Sequence, residues 1–357
     1  MLPPIREPAR AIACVWPVSA PAARTRISAL VGERIGAAIG HVRSSGGRRA
    51  TAVFRPERFR PAASFPRVGA FLVDTAPIRR SEGADGRFSG ELGDGWSVVS
   101  AFGGASLAAT LRAMNAAVDR PEFRLASAHA QFISPVNTGP FAVDVTVLRM
   151  GRSVAQAAGE LRERGSDQIG IRVSGTWAHP RPDDPVHGTG VEPPVVDDPG
   201  SSSLVRLEHE PPWDQFPIHD KFEEWRSPAH HHPGALFIDT ASPESVVWTR
   251  LTDASHHDDG RFEVAALALL ADRAPGPHLG PCLAPIADEI PARPLVTLDM
   301  TLRVYAEPAS EWLLLHSRVD EAAEGHVATR VDMWDTERRL VATSEQLARW
   351  GNTPLPT

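Results

Sequence analysis

The sequence predicts an α+β protein built from two copies of one unit, in which a single helix packs against an antiparallel sheet. Each half contains one apolar, helix-like segment, GGASLAATLRAMNAAVD in the first and FEVAALALLADRA in the second. Strand-like segments follow each helix, and FAVDVTVLRM alternates apolar and polar residues as a half-buried strand does. Few helices among many antiparallel strands are typical of an α+β fold.

The duplication is visible in residues that recur at a fixed spacing. Trp350 follows Trp177 at the same distance along the chain as Pro308 follows Pro135. The strand lengths between these positions match apart from small gaps, which indicates two copies of one unit. The strand-like segments of the first copy are FLVDT, RFSGEL, WSVVSAF, FAVDVTVLRM, SVAQAAGELRER and IGIRVSGTWA. Those of the second copy are KFEEWR, VVWTRL, PLVTLDMTLRVY, EWLLLHSRVD, HVATRVDMW and RLVATSEQLARW.

The helix of each copy needs a surface that covers it. A helix that is apolar on almost every side must be buried, and the sheet of its own copy offers the necessary partner. Two such units can then join edge to edge, which also covers an exposed strand edge.

Two segments lack the pattern of the repeated unit. Residues 1–68 are rich in Ala, Pro, Arg and Gly without a sustained period, so we expect a disordered tail or a gene start assigned too far upstream. An Arg-rich targeting peptide is the alternative. Residues 179–215 are dense in Pro, Asp, Gly and Ser, which predicts a solvated acidic linker. We therefore place the first unit at residues 69–178 and the second at residues 216–352.

Charge, hydropathy and cysteine content limit the class of protein. The net charge is −7, and the tail carries twelve Arg against three Glu, so the remaining chain is acidic and disfavours nucleic-acid binding. No apolar run reaches the ~18 residues that a membrane helix needs. Cys14 and Cys282 are too few for a disulfide framework, so we expect a reducing, cytoplasmic location.

Asp272 is the strongest candidate for a catalytic group. It follows an apolar helical segment, where burial and the negative end of the helix dipole both disfavour a carboxylate. A carboxyl group placed there would have a raised pKa and could act as a general base near neutral pH. The alternative is that the helix ends earlier and Asp272 lies in a solvated loop beside Arg273 and Pro275.

Other candidates are weaker when judged from position alone. Alternation in PLVTLDMTLRVY places Thr297 with Asp299 on the polar face, which favours solvent over a polar cleft. Gln346, late in a strand, has the position of a surface residue. Gly103 and Gly104 precede the first helix, so their backbone N–H groups could stabilise a substrate oxyanion, although a tight turn also explains them.

Several catalytic and ligand-binding signatures do not occur in the sequence. There is no G-x-S-x-G elbow, no Walker A motif and no dinucleotide-binding fingerprint, so we expect no cofactor. Histidines at 230–232 and 256–257 lie among Pro, Gly and Asp, and we expect no metal site. Neither cysteine has the surroundings of a nucleophile. A hydrolase with this sequence would therefore use water as the attacking group.

Motifs in both halves resemble the double hotdog acyl-CoA thioesterases, the TesB-like or acyl-CoA thioesterase II group. The first half matches in WSVVSAFGGASLAATLRA, RLASAHAQFISPVNTGP and VTVLRMGRSVAQAAGEL. The second half matches in ALLAD, VTLDMTLRVYAEPASEWLLL and RRLVATSEQLAR. The similarity covers about residues 69–351. It implies two tandem hotdog domains, each a central helix wrapped by an antiparallel sheet, that hydrolyse acyl-CoA to free fatty acid and CoA.

The resemblance also implies roles for particular residues. In the family, an Asp on the second central helix, a Thr on the following strand and a Gln near the C-terminus hold the attacking water. Those motif positions fall on Asp272, Thr297 and Gln346. The substrate would bury its acyl chain between the hotdogs, and a homodimer or larger homo-oligomer is expected by analogy.

Substrate preference and two alternative functions stay open. Residues 229–260, which should help shape the acyl pocket, diverge from the family, so chain length is not predicted. Arg149 and Arg152 are candidate phosphate contacts, with surface ion pairing as the alternative. The first alternative function is a catalytically idle hotdog that binds acyl-CoA or another hydrophobic ligand. The second is an enoyl-CoA hydratase, which generally needs a paired Asp and His on the helix, and neither central helix contains His.

Overall fold

A computed structural model describes most of the repeated units. The described residues are 79–80, 86–181, 188, 190–208, 215–228, 244–253, 262–273 and 295–350. The expected tail, the FLVDT segment, both cysteines and both histidine clusters lie outside these residues.

The described part of the first half contains one long helix and six strands. These are β1 (Arg79–Arg80), β2 (Arg87–Leu92), α1 (Gly103–Val118), β3 (Arg124–Phe132), β4 (Gly139–Met150), β5 (Val154–Glu163) and β6 (Ile171–Ala178). α1 ends because Asp119 adopts the left-handed conformation, with φ 49°, and donates its N–H to Asn115 O at 3.1 Å.

One predicted strand of the first half is wrong. A short 3-10 turn at Asp94–Trp96 leads into WSVVSAF, and the only strand pairing within this segment is a single bridge between Ser97 and Ala101. The chain has to turn here to enter α1, and the Phe102 N–H bonds back to Trp96 O at 2.7 Å. Trp96 and Ala101 are therefore buried in a compact turn, whereas Val99 is 67% exposed, and the segment does not extend along the sheet.

The second half repeats this arrangement with a shorter helix. Its elements are β7 (Val205–Arg206), β8 (Phe222–Arg226), β9 (Glu244–Leu251), α2 (Ala266–Arg273), β10 (Leu295–Val304), β11 (Leu313–Ala323), β12 (His326–Trp334) and β13 (Leu340–Trp350). All eight residues of α2 are buried, as its apolar sequence predicts. Neither helix of the described chain has the length and hydropathy needed to cross a membrane.

All thirteen strands of the described residues belong to one antiparallel sheet. Its order is β1-β2-β4-β5-β6-β3-β10-β13-β12-β11-β9-β8-β7. β3 and β10 join the two halves, with Gln131 opposite Asp299 and Ser127 opposite Arg303. On each side of this junction the strands follow the same succession, since β6-β5-β4-β2 in the first half corresponds to β13-β12-β11-β9 in the second. The duplication seen in the sequence is therefore present in the topology.

The two helices run antiparallel and in contact inside the main apolar core. The start of α1 approaches the end of α2, where the Gly104 N–H donates to Asp272 Oδ2 at 2.7 Å. Arg112, farther along α1, lies 3.5 Å from Glu263, just before α2. This crossing brings the first residues of α1 next to Asp272.

The expected linker is only partly solvated. Leu204 packs with Trp248 and Trp334 in a second apolar cluster, and Val205–Arg206 pairs with β8 at the edge of the sheet. The Trp248 indole also donates to Asp197 O at 2.7 Å. Apolar residues among the prolines and aspartates thus cover part of the second half, which the overall composition of the segment concealed.

Candidate active site

Asp272 lies in the last turn of α2 with both carboxylate oxygens hydrogen-bonded. Oδ2 accepts the Gly104 N–H at 2.7 Å, and Oδ1 accepts the Thr297 hydroxyl at 2.8 Å. The residue is only 7% exposed. Of the two interpretations of the sequence, the buried helix-end carboxylate is therefore confirmed and the solvated loop is wrong.

Two features of the surroundings act on the pKa of Asp272 with opposite sign: burial raises it and hydrogen bonds lower it. Burial raises the pKa of Asp272 from 3.8 to about 6, and the hydrogen bonds from Thr297 and Gly104 only partly oppose this shift. Gly104 is also in the first turn of α1, where unpaired backbone N–H groups favour a nearby negative charge. The result is a carboxyl group that is held in place by donors and titrates close to neutral pH.

The glycine pair at the start of α1 makes this contact sterically feasible. A Cβ on Gly103 would lie 2.8 Å from Asp272 Oδ2 and 2.9 Å from the Phe132 ring. A Cβ on Gly104 would lie 2.9 Å from Ala268 O. The helices approach this closely only because neither position carries a side chain. The Gly104 N–H, expected from the sequence to meet a substrate oxyanion, is bonded to the carboxylate.

Thr297 reaches the carboxylate because β10 contains an irregularity that the sequence does not reveal. Thr297 lies opposite Ala348, whereas Asp299 lies opposite Leu347, so the two residues of β10 are two apart and their partners only one. A bulge of this kind reverses which face the residues before it point to. Val296, assigned by alternation to the apolar face, is accordingly 48% exposed. Placing Thr297 and Asp299 on one face is thus wrong.

Gln346 lies beside the same helix end. Its side-chain Nε2 donates to Ala271 O at 2.8 Å and lies 3.3 Å from Ser344 Oγ. Because a carbonyl oxygen needs a donor, this contact fixes Nε2 and leaves Oε1 on the other side of the amide. Oε1 is buried and has no hydrogen-bond partner among the described residues. The expected surface position of Gln346 is wrong, and its amide adjoins the residue that precedes Asp272.

Two protein-family models match the two halves of the chain. The model of the acyl-CoA thioesterase N-terminal domain matches residues 92–178, and that of the acyl-CoA thioesterase C-terminal domain matches residues 201–349. Together they cover well over half of the chain. The chain belongs to the acyl-CoA thioesterase family. No curated protein matches it.

Solved structures similar to this family member share its fold at low identity. A thioesterase II candidate from Thermobifida fusca is 22% identical, with a TM-score of 0.61, over 79% of this chain and 97% of the other. The acyl-CoA thioesterase II TesB2 of Mycobacterium marinum is 18% identical, with a TM-score of 0.57, over 80% and 98%. A conserved hotdog-fold protein from Alicyclobacillus acidocaldarius is 19% identical, with a TM-score of 0.60, over 81% and 100%. These similarities support the hotdog fold.

The opposite end of the helix pair in this thioesterase family member carries different residues. When the helices are aligned on Phe102 before α1 and Phe262 before α2, Glu263 takes the position of Gly103 and Arg112 that of Asp272. Arg112 Nε is 3.5 Å from Glu263 Oε2. A side chain thus fills the place of the glycine, and a guanidinium replaces the carboxylate. In the described part of the chain, the Asp272 arrangement therefore occurs at one end only.

The remaining residues considered from the sequence add no further group to this site. Arg149 and Arg152 are exposed around the turn between β4 and β5. Within the described ranges, no cluster of three or more His, Cys, Asp or Glu side chains could hold a metal ion. Sequence reasoning missed Ser344, which shares the inward face of β13 with Gln346 at a spacing of two.

Proposed function

We propose that the chain is a tandem double hotdog, with units at residues 69–178 and 216–352, that hydrolyses acyl-CoA thioesters with water activated by Asp272. The observation that carries the proposal is a buried carboxylate at the end of α2, held by a donor from each half of the chain at 2.7 and 2.8 Å. Family membership supports acyl-CoA as the substrate class.

Asp272 has the properties of a general base. With its pKa at about 6, about 90% of the group is ionised at pH 7, while its affinity for a proton remains near the optimum for proton transfer. The Gln346 Oε1 acceptor orients the attacking water beside it, and Thr297 keeps the carboxylate in one rotamer. General-base assistance of this kind is worth about 10²–10⁴-fold in rate.

The reaction then runs in two steps. The water oxygen bonds to the thioester carbonyl carbon as Asp272 takes one of its protons. The tetrahedral intermediate collapses, the C–S bond breaks, and the departing sulfur takes the proton back from Asp272. The products are a free carboxylic acid and the CoA thiol. Since a thiolate is a good leaving group, the mechanism needs no second acid.

The start of α1 supplies the donor for the oxyanion. The Gly104 N–H bonds to the ionised carboxylate, and that bond weakens when Asp272 becomes protonated. The same N–H is then available to donate to the negative oxygen of an intermediate formed beside Asp272. A single donor of this type is worth about 10²–10³-fold in rate.

A thiol-release assay across short, medium and long acyl-CoAs tests the proposal. Asp272→Asn should cut kcat by at least tenfold. Asp299→Asn, on β10 but on the face opposite to Thr297, should retain normal turnover. Wild-type turnover in Asp272→Asn would remove this residue from the mechanism. Acyl-CoA binding without thiol release by the wild type would instead support a non-catalytic hotdog.

A further inference from the structure

The residue that follows Asp272 carries a buried positive charge. Arg273 and Glu224 are each only 2% exposed. The Arg273 guanidinium makes two hydrogen bonds to Glu224, from Nε to Oε1 at 3.2 Å and from Nη2 to Oε2 at 2.8 Å. The last residue of α2 is thus joined by a two-pronged ion pair to β8, the first long strand of the second half.

Further contacts extend from this pair to the start of α1. The Arg273 guanidinium lies 4.8 Å from the centre of the Phe222 ring, and Nη2 is 2.9 Å from His219 Nδ1. The edge of Phe222 meets Phe102 at a centroid distance of 6.3 Å and Trp96 at 6.4 Å. Phe102 immediately precedes the glycine pair. One cluster therefore contacts both helix ends that meet at the catalytic carboxylate.

The cost of burying charges argues against a purely stabilising role. Removing two ions from water offsets most of their mutual attraction, so apolar side chains of similar size would stabilise the same place as well. What a bidentate pair adds is a fixed geometry. Successive residues on a helix project about 100° apart. Arg273 can therefore attach the last turn of α2 to β8 while Asp272 points toward α1 and β10.

We propose that the Arg273–Glu224 pair is a positioning device that fixes the last turn of α2, so that Asp272 meets Gly104 and Thr297 in one geometry. The inference rests on the proposed function, because it gives these two residues a role through the catalytic base. Neither residue touches the reacting atoms.

Removing both charges together tests this role without leaving one charge unpaired. In Arg273→Met with Glu224→Met we expect a folded protein with kcat reduced at least tenfold and KM changed less than threefold. The acid limb of its kcat/KM profile should move to lower pH, because water reaches Asp272 in the loosened turn. The matched control is Glu223→Met with Arg250→Met, a pair 2.6 Å apart that uses the neighbouring position of β8 and is 21% and 37% exposed. This control should retain the wild-type values.

A conservative variant covers the case in which the double variant does not fold. Arg273→Lys keeps the positive charge but cannot make the bidentate hydrogen bonds to Glu224. Its kcat should fall three- to tenfold with an unchanged circular dichroism spectrum. Wild-type kcat and acid limb in either folded variant would overturn the positioning role. If Asp272→Asn abolishes turnover while these variants match the wild type, only this inference fails. If Asp272→Asn is itself fully active, the proposed function fails first.

Discussion

Replacing Asp272 with Asn should change stability as well as activity, with a sign that depends on pH. Burial raises the pKa of this carboxyl from 3.8 to about 6. Between these two values the native carboxyl keeps a proton that the unfolded one has released, so the native state loses stability as pH rises. At 1.36 kcal/mol for each pH unit, ionised Asp272 costs ~3 kcal/mol of folding free energy above pH 7. Asn carries no charge and avoids this cost.

The variant also loses part of the hydrogen bonding. An Asn side chain has one acceptor oxygen where the carboxylate has two, which costs about 1–3 kcal/mol at every pH. The change in the stability difference with pH therefore isolates the ionisation. Between pH 5 and pH 8 the free energy of unfolding of Asp272→Asn should rise relative to wild type by about 1.5 kcal/mol.

Urea unfolding at both pH values, followed by tryptophan fluorescence, measures this difference. All other titrating groups are common to the two proteins and cancel in the comparison. A stability difference that is the same at pH 5 and pH 8 would refute the argument, because it would mean that burial does not raise the pKa of Asp272.

Three further substitutions test separate contacts of the site. Thr297→Val removes a donor to the Asp272 carboxylate, so the pKa of Asp272 should rise and the acid limb of kcat/KM should move up by about one pH unit. Thr301→Val, on the opposite face of β10, should leave the limb in place. Gln346→Met removes the amide that bonds to Ala271 O at the end of α2 and should lower kcat by about 10²-fold, with little change in the circular dichroism spectrum. Gly104→Ala forces a methyl group against the facing helix and should lower the free energy of unfolding by about 1–3 kcal/mol in urea titrations. Gly190→Ala, whose added Cβ would have no neighbour within 4 Å, should be neutral.

The local pattern of apolar and polar residues predicts most of the helices and strands. Most of the longer strands were expected from their apolar and alternating segments, but β3, which pairs with β10 at the junction of the halves, was not, nor were the short β1 and β7. α1 begins at the glycine pair and ends at Val118, one residue short of the segment expected. WSVVSAF was wrongly predicted as a strand because Trp96 and Phe102 pack against Phe222 of β8 from a turn. Apolar residues alone do not distinguish such a turn from a strand. The second helix also begins later than its apolar pattern predicts, because residues 263–265 form tighter turns ahead of Ala266.

The candidate site was only partly predictable. Asp272 could be singled out because a carboxylate at the end of an apolar helix conflicts with both burial and dipole. Its partners could not be found by position, since the Gly104 N–H comes from 168 residues earlier in the chain. The inward direction of Thr297 depends on a bulge, and strict alternation predicts the opposite face. Family resemblance named these residues, whereas the contacts that join them required the structure.

The pH dependence of kcat/KM for thiol release is the most direct measurement of the central claim. With a base whose pKa is about 6, the wild-type profile should fall on the acid side with a midpoint near that value, and the residual activity of Asp272→Asn should lack this limb. A wild-type profile that is flat between pH 5 and pH 8, or the same limb in the variant, would contradict the assignment of Asp272 as the base.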